Sequence, residues 1–191
     1  MTSKTDFKRE LDCYSARPGR FDVVDVPNLR YLMVDGQGDP NEGTAFADAV
    51  GALYPVAYRL KFASRRLGHD YVVMPLEGLW WADDMESFTA ARDKSRWRWT
   101  LMIMVPDRVD ETLVDGPVRL GSLAEGRCVQ TLHVGSFDEE GPTLARMHDE
   151  FIPANGLRMT GRHHEIYLSD RRRTAPERLR TILRQPVLPA R

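Results

Sequence analysis

Apolar residues fall along this chain in two series of similar order. In the first, residues 29–36 (LRYLMVDG) form a compact apolar run that ends at Gly36-x-Gly38, which reads as a strand and a turn. Across 42–67, Phe46, Val50, Leu53, Ala57 and Leu60 recur every three or four positions, the stripe of an amphipathic helix. Pro55 should kink or divide that helix, and Gly68 should stop it. Residues 71–81 (YVVMPLEGLWW) read as an extended segment and 87–94 as one or two helical turns. Residues 97–105 (WRWTLMIMV) read as a central strand covered on both sides, ended by Pro106-Asp107.

The second series repeats this order. Residues 127–135 (RCVQTLHVG) read as a strand that ends at glycine. Residues 141–151 read as a helix with Leu144, Met147 and Phe151 on one face, stopped by Gly156. Residues 157–162 and 163–169 read as two short strands, a hairpin across Gly161, and 181–188 as a helical turn and an extended tail. Each half is thus strand, helix, strand, strand. Val34-Asp35-Gly36 pairs with His133-Val134-Gly135, and Gly68 precedes Glu77 as Gly156 precedes Glu165. The expected fold is α+β: tandem strand-helix-strand-strand modules in one curved antiparallel sheet, helices on one face and a ligand cleft at the pseudo-twofold seam. The expected organisation is an N-terminal arm at 1–20 and one domain at 21–191, with modules at about 21–110 and 117–191.

Composition narrows the function classes. With 191 residues and a net charge of −1, the chain lacks the basic excess of a nucleic-acid binder. Arg171-Arg172-Arg173 reads as a solvated turn or, less readily, an anion site. No apolar run approaches the roughly 20 residues of a membrane span, and the N-terminus has no signal-like apolar region. Cys13 and Cys128 show no paired spacing, so free thiols in a reducing compartment are expected, and with them a cytoplasmic location. A monomer or weak dimer is expected.

The densest chemistry is Gly161-Arg162-His163-His164-Glu165-Ile166-Tyr167. Strand alternation puts His163, Glu165 and Tyr167 on one face and His164 and Ile166 on the other. A mid-strand carboxylate is costly to bury without a partner, so this face is either an exposed edge or a site. Adjacent His-His-Glu does not bring three ligands to one ion, so no metal is expected. Alternation groups Glu77 with Val73, Leu79 and Trp81, and Gly78 would admit close approach to the backbone. Trp80, Trp81 and Trp99, and Tyr54 and Tyr58 one helical turn apart, either pack the core or wall a pocket. His133 reads as a core histidine or a ligand contact. No nucleophile elbow, P-loop or zinc motif occurs, which leaves acid–base chemistry by a carboxylate with a tyrosine or histidine partner.

The segments PLEGLWW, WRWTLMIMVPD, EGRCVQTLHVGSFDEE and GRHHEIYLSDRRRTAPERLRTILRQPV resemble the stand-alone GyrI-like proteins, from about residue 20 to the C-terminus. The resemblance implies a tandem strand-helix-strand-strand fold like the effector domains of multidrug-sensing regulators. In those relatives a buried glutamate recognises aromatic cations, and Glu165 stands at the matching position. Residues 1–20 are too few for a helix-turn-helix module. PLEGLWW resembles the branch of hydrolases that open the cyclopropane of DNA-alkylating natural products. That implies a glutamate that activates water, a tyrosine that stabilises the leaving charge, Trp80 and Trp81 against a flat ligand, and no cofactor. Its rivals are a non-catalytic binder of planar or cationic aromatic compounds and an inhibitor of a protein target such as DNA gyrase.

Overall fold

The computed structural model describes residues 4–83 and 93–191. In chain order the elements are α1 (Phe7–Glu10), β1 (Asp22–Gln37), α2 (Ala45–Arg66), β2 (Leu76–Trp81), β3 (Arg98–Val105), β4 (Arg119–Val134), α3 (Gly141–Ala145), α4 (Ile152–Ala154), β5 (Leu157–Met159), β6 (His163–Tyr167) and β7 (Arg180–Pro189). The fold is α+β, and the strand pairs within each half are antiparallel. The chain divides into two units. One holds Met1–Glu10 and Leu29–Leu123; the other holds Leu11–Asn28 and Ala124–Arg191.

In the first unit β3 lies between β1 and β2, with Trp99 opposite both Gly36 and Trp80. The continuous apolar run of β3 reflects this central place, since Trp99 through Val105 are all buried. Helix α2 buries Phe46, Leu53, Ala57 and Leu60 of the predicted stripe, and Ala49 and Val56 beside them, while Val50 is half-buried. It runs through Pro55 as one element. Pro55 and Gly51 are both exposed, so water can meet the Gly51 carbonyl that proline leaves without a donor. Phe46 stacks on Trp80 and meets Trp99 edge-on, with ring centroids 6.2 Å and 5.6 Å apart. Trp99 is therefore on the side of β3 that faces α2, and alternation places Leu101 and Ile103 there too. A Cβ on Gly36 would collide with the Trp99 indole, which explains a glycine in the middle of this ladder. The turns expected over 87–94 fall largely outside the described residues.

In the second unit β7 is the central strand, with β4 and β6 against it and β5 pairing its far end. Residues 181–188 are therefore not a helical turn and tail. Arg184 and Gln185 within it are buried side chains with hydrogen-bond partners. The hairpin expected across Gly161 does not form either, because β5 and β6 each pair with β7 instead of with one another. Helix α3 continues through a π-helical turn, Arg146–Phe151, into α4. Met147 and Ile152 of this helical run pack with Val129, Leu183 and Val187. Gly156, at φ 65°, ends it in the left-handed region that glycine reaches most readily. Residues set apart as an arm are held in place: Thr5 bridges Tyr71, Pro18 bridges Leu132, and Cys13 and Tyr14 are buried. Cys13 and Cys128 are free thiols. Arg172 and Arg173 are exposed and pair with Asp170, a solvated turn.

On the face of β7 turned from the helix, Arg184 is wholly buried. Its guanidinium donates to Glu125 at 2.9 Å, to Gln130 at 3.1 Å and to the Cys13 carbonyl. His164 Nδ1 reaches the other Glu125 oxygen at 2.9 Å. Burial alone would raise the Glu125 carboxyl, but His164 and Arg184 hold it at about 2, below its usual 4.5.

Two outcomes follow. Gly36→Ala should cost about 3 kcal/mol in urea unfolding, as overpacking does, and Trp99→Phe in the same chain should recover part of it. Glu125 has a depressed folded-state value, so its contribution is complete above its unfolded value of 4.5 and is lost as pH falls towards 2. Urea midpoints should therefore drop between pH 5 and 2.5, and Glu125→Gln combined with Arg184→Met should flatten that decline.

Candidate functional site

The face of β6 opposite His164 carries the residues grouped by alternation. The Tyr167 hydroxyl donates to Glu165 Oε2 at 2.6 Å, and His163 Nε2 lies 3.2 Å from Glu165 Oε1. Each carboxylate oxygen thus has its own polar partner from the same strand. The Glu165 side chain is 13% exposed and His163 3%, and Tyr167 is half-buried, so Glu165 and Tyr167 are the parts of this cluster that solvent or a ligand reaches. Phe137 meets the Tyr167 ring edge-on at 5.6 Å. Glu165 pairs with Leu183, which packs against the helical run, so this is the helix-facing side of the unit. His148, within the π-helical turn, sets its ring edge-on to that of His163 at 6.2 Å.

The first unit sorts its candidates differently. Glu77 is fully buried opposite Met102. Trp80 is buried opposite Trp99 and belongs to the aromatic core under Phe46. Glu77 and half-buried Trp81 occupy the other side of β2, turned from α2. Trp99 donates its indole N–H to the Gly38 carbonyl at 3.3 Å, a core tryptophan with a satisfied polar edge. Tyr54 is half-buried, whereas Tyr58 is exposed beside Phe62.

The repeat seen in spacing is real in order but offset in register. In both units the long outer strand ends opposite the arginine that opens the central strand, Gln37 with Arg98 and Val134 with Arg180. Counting from those ends, Met102 opposite Glu77 corresponds to Arg184 opposite His164. Leu101 opposite Gly78 corresponds to Leu183 opposite Glu165. Glu77 and Glu165 therefore lie on opposite faces relative to their own helices, and Gly78 holds the position equivalent to Glu165. The equal Gly-to-Glu intervals hide this because the second unit inserts β5 between helix and strand.

His133 is buried, with Nε2 3.0 Å from the Ser136 carbonyl. It also lines a cavity of about 260 Å³ in the second unit, with Phe21, Thr131, Thr143 and Arg146. Burial pushes the Cys128 thiol up to about 12, so it is no nucleophile. Among the described residues no cluster of His, Cys, Asp and Glu is placed to hold a metal ion, and no helix is long and apolar enough to cross a membrane. Sequence reasoning missed His148, Glu125 and Arg184. Only the alternation that put His164 on the apolar side of β6 hinted that something polar waits there.

Residues 20–188 match the model of the GyrI-like small molecule binding domain. The chain belongs to this family. This GyrI-like protein is similar to an uncharacterized conserved protein from Listeria innocua. The two are 40% identical over 97% of this chain and 100% of the other, with a TM-score of 0.86. It is also similar to a protein described as a hydrolase from Listeria innocua, at 38% identity, the same coverage and a TM-score of 0.83. The EcmrR C-terminal domain, at 10% identity over 90% of this chain and 98% of the other, shares the fold with a TM-score of 0.61. No match was found among curated proteins.

The register makes one outcome specific to this GyrI-like protein. Trp80→Ala should cost about 3–5 kcal/mol of stability, the loss expected for a large aromatic in a core, while Trp81→Ala should cost clearly less. Urea unfolding of the two variants checks this.

Proposed function

We propose that this GyrI-like protein hydrolyses a small electrophilic molecule, opening a strained cyclopropane on a planar aromatic system, with Glu165 and Tyr167 carrying the chemistry. The observation that carries the reading is the Glu165 carboxylate, partly open and joined to the Tyr167 hydroxyl at 2.6 Å. The relatives described as hydrolases, 38% and 39% identical along their whole length, support it.

The roles follow from that pairing. A water oxygen attacks a cyclopropane carbon and its proton passes to Glu165. The carbon–carbon bond breaks, and its electron pair becomes the charge of an enolate or phenolate. Tyr167 gives its proton to that oxygen and is reprotonated by Glu165 through their hydrogen bond. Base and acid thereby return to their starting state, and the net change is the addition of one water. Ring strain drives the reaction, so one base, one acid and orientation suffice. His163 holds the second carboxylate oxygen in place. Tyr167 and Phe137 offer an aromatic surface to a flat ligand. Glu77, buried on the face turned from α2, has no step in this scheme. The ligand is a small hydrophobic or aromatic molecule; a net charge of −1 argues against nucleic acid.

The test is incubation with a cyclopropanoid alkylator followed by mass spectrometry. A product heavier by one water should accumulate over many turnovers. Glu165→Gln should lose at least about 100-fold in kcat while its dissociation constant stays within a few-fold. Stoichiometric binding without product would instead make the protein a sequestering binder. Normal turnover by Glu165→Gln would remove the glutamate from its role.

A further inference from the structure

Residue His148 lies outside the scheme above, yet it carries a buried polar atom that the scheme leaves unexplained. Its Nε2 is fully buried and has no hydrogen-bond partner among the described residues. Burial, with His163 beside it, holds the imidazole at about 4, below its usual 6.5, so the ring is neutral near pH 7. The residue sits in the π-helical turn Arg146–Phe151. Such turns are rare inside helices and recur at functional sites. The ring meets that of His163, which in turn lies against Glu165. A buried nitrogen without a partner costs stability, and a phenyl ring could fill the same space without that cost. A histidine retained there is accounted for if the nitrogen has a partner when a ligand is present.

We propose that His148 is a ligand-contacting residue of the Glu165 site, its Nε2 forming a hydrogen bond with a polar atom of the bound small molecule. This rests on the reading of Glu165 as the centre of the site. The ligand it fits is a planar molecule that presents a carbonyl or phenolic oxygen beside its reactive ring. A neutral imidazole can donate to or accept from such a group without adding a charge next to the carboxylate.

Wild type, His148→Phe and His148→Gln are compared in three measurements: melting temperature, calorimetric affinity for the ring-opened hydration product of the alkylator, and kcat/KM. His148→Phe should melt at the same or a higher temperature, yet bind the product at least 10-fold more weakly and lose at least as much in kcat/KM. His148→Gln, whose amide nitrogen reaches towards the Nε2 position, should recover part of both. Wild-type affinity and turnover in His148→Phe would overturn the proposal. So would a loss of binding accompanied by an equal loss of folded protein in both variants. A wild type that binds product but never turns over would refute the hydrolase reading alone, because the affinity comparison still decides the role of His148.

Discussion

A guanidinium with no exposure to water must place its donors within the protein, and Arg184 does so in a way that organises the second unit. Its partners are Glu125 and Gln130 of β4 and the Cys13 carbonyl, and Glu125 in turn holds His164 of β6. Gln130 extends the network to the Ser15 carbonyl at 2.9 Å. The charges are costly to bury, and removing any one partner would leave another uncompensated. The cluster accordingly ties β4, β6, β7 and the segment around Cys13 into one arrangement. With His164 locked on one side of β6, alternation leaves His163, Glu165 and Tyr167 no choice but the other.

The same constraint explains why the two halves differ in chemistry despite their shared order of elements. The row that is Arg184 and His164 in the second unit is Met102 and Glu77 in the first. The row that is Leu183 and Glu165 is Leu101 and Gly78. One unit carries a carboxylate on its helix-facing side and the other carries none at that position. A pattern of period two turns a one-residue offset into a change of face, so equal intervals along the chain do not make equivalent sites.

At Glu165 the surroundings are graded from polar to apolar within one strand face. Tyr167 and His163 grip the carboxylate, Phe137 covers the phenol, and His148 stands behind His163 in a turn wound differently from the rest of its helix. His163 is closed to solvent, while Glu165, Tyr167, Phe137 and His148 are half-buried. That combination suits a group that must stay oriented and still meet a small molecule.

The sequence by itself determined the α+β class, the order of elements in the first unit, the stripe of α2, the central place of β3 and the shared face of His163, Glu165 and Tyr167. These depend on local periodicity, which the residues write directly into the chain. The motifs also carried the family. Tertiary structure alone decided that 180–189 is a central strand, that β5 and β6 flank β7, that α2 passes Pro55 unbroken and that Trp80 and Trp99 belong to a core. It alone supplied Arg184, Glu125 and His148 as partners. Those depend on contacts between residues far apart in the chain, such as the 171 positions separating Arg184 from Cys13. A buried polar residue looks like a surface one until the group that satisfies it is known.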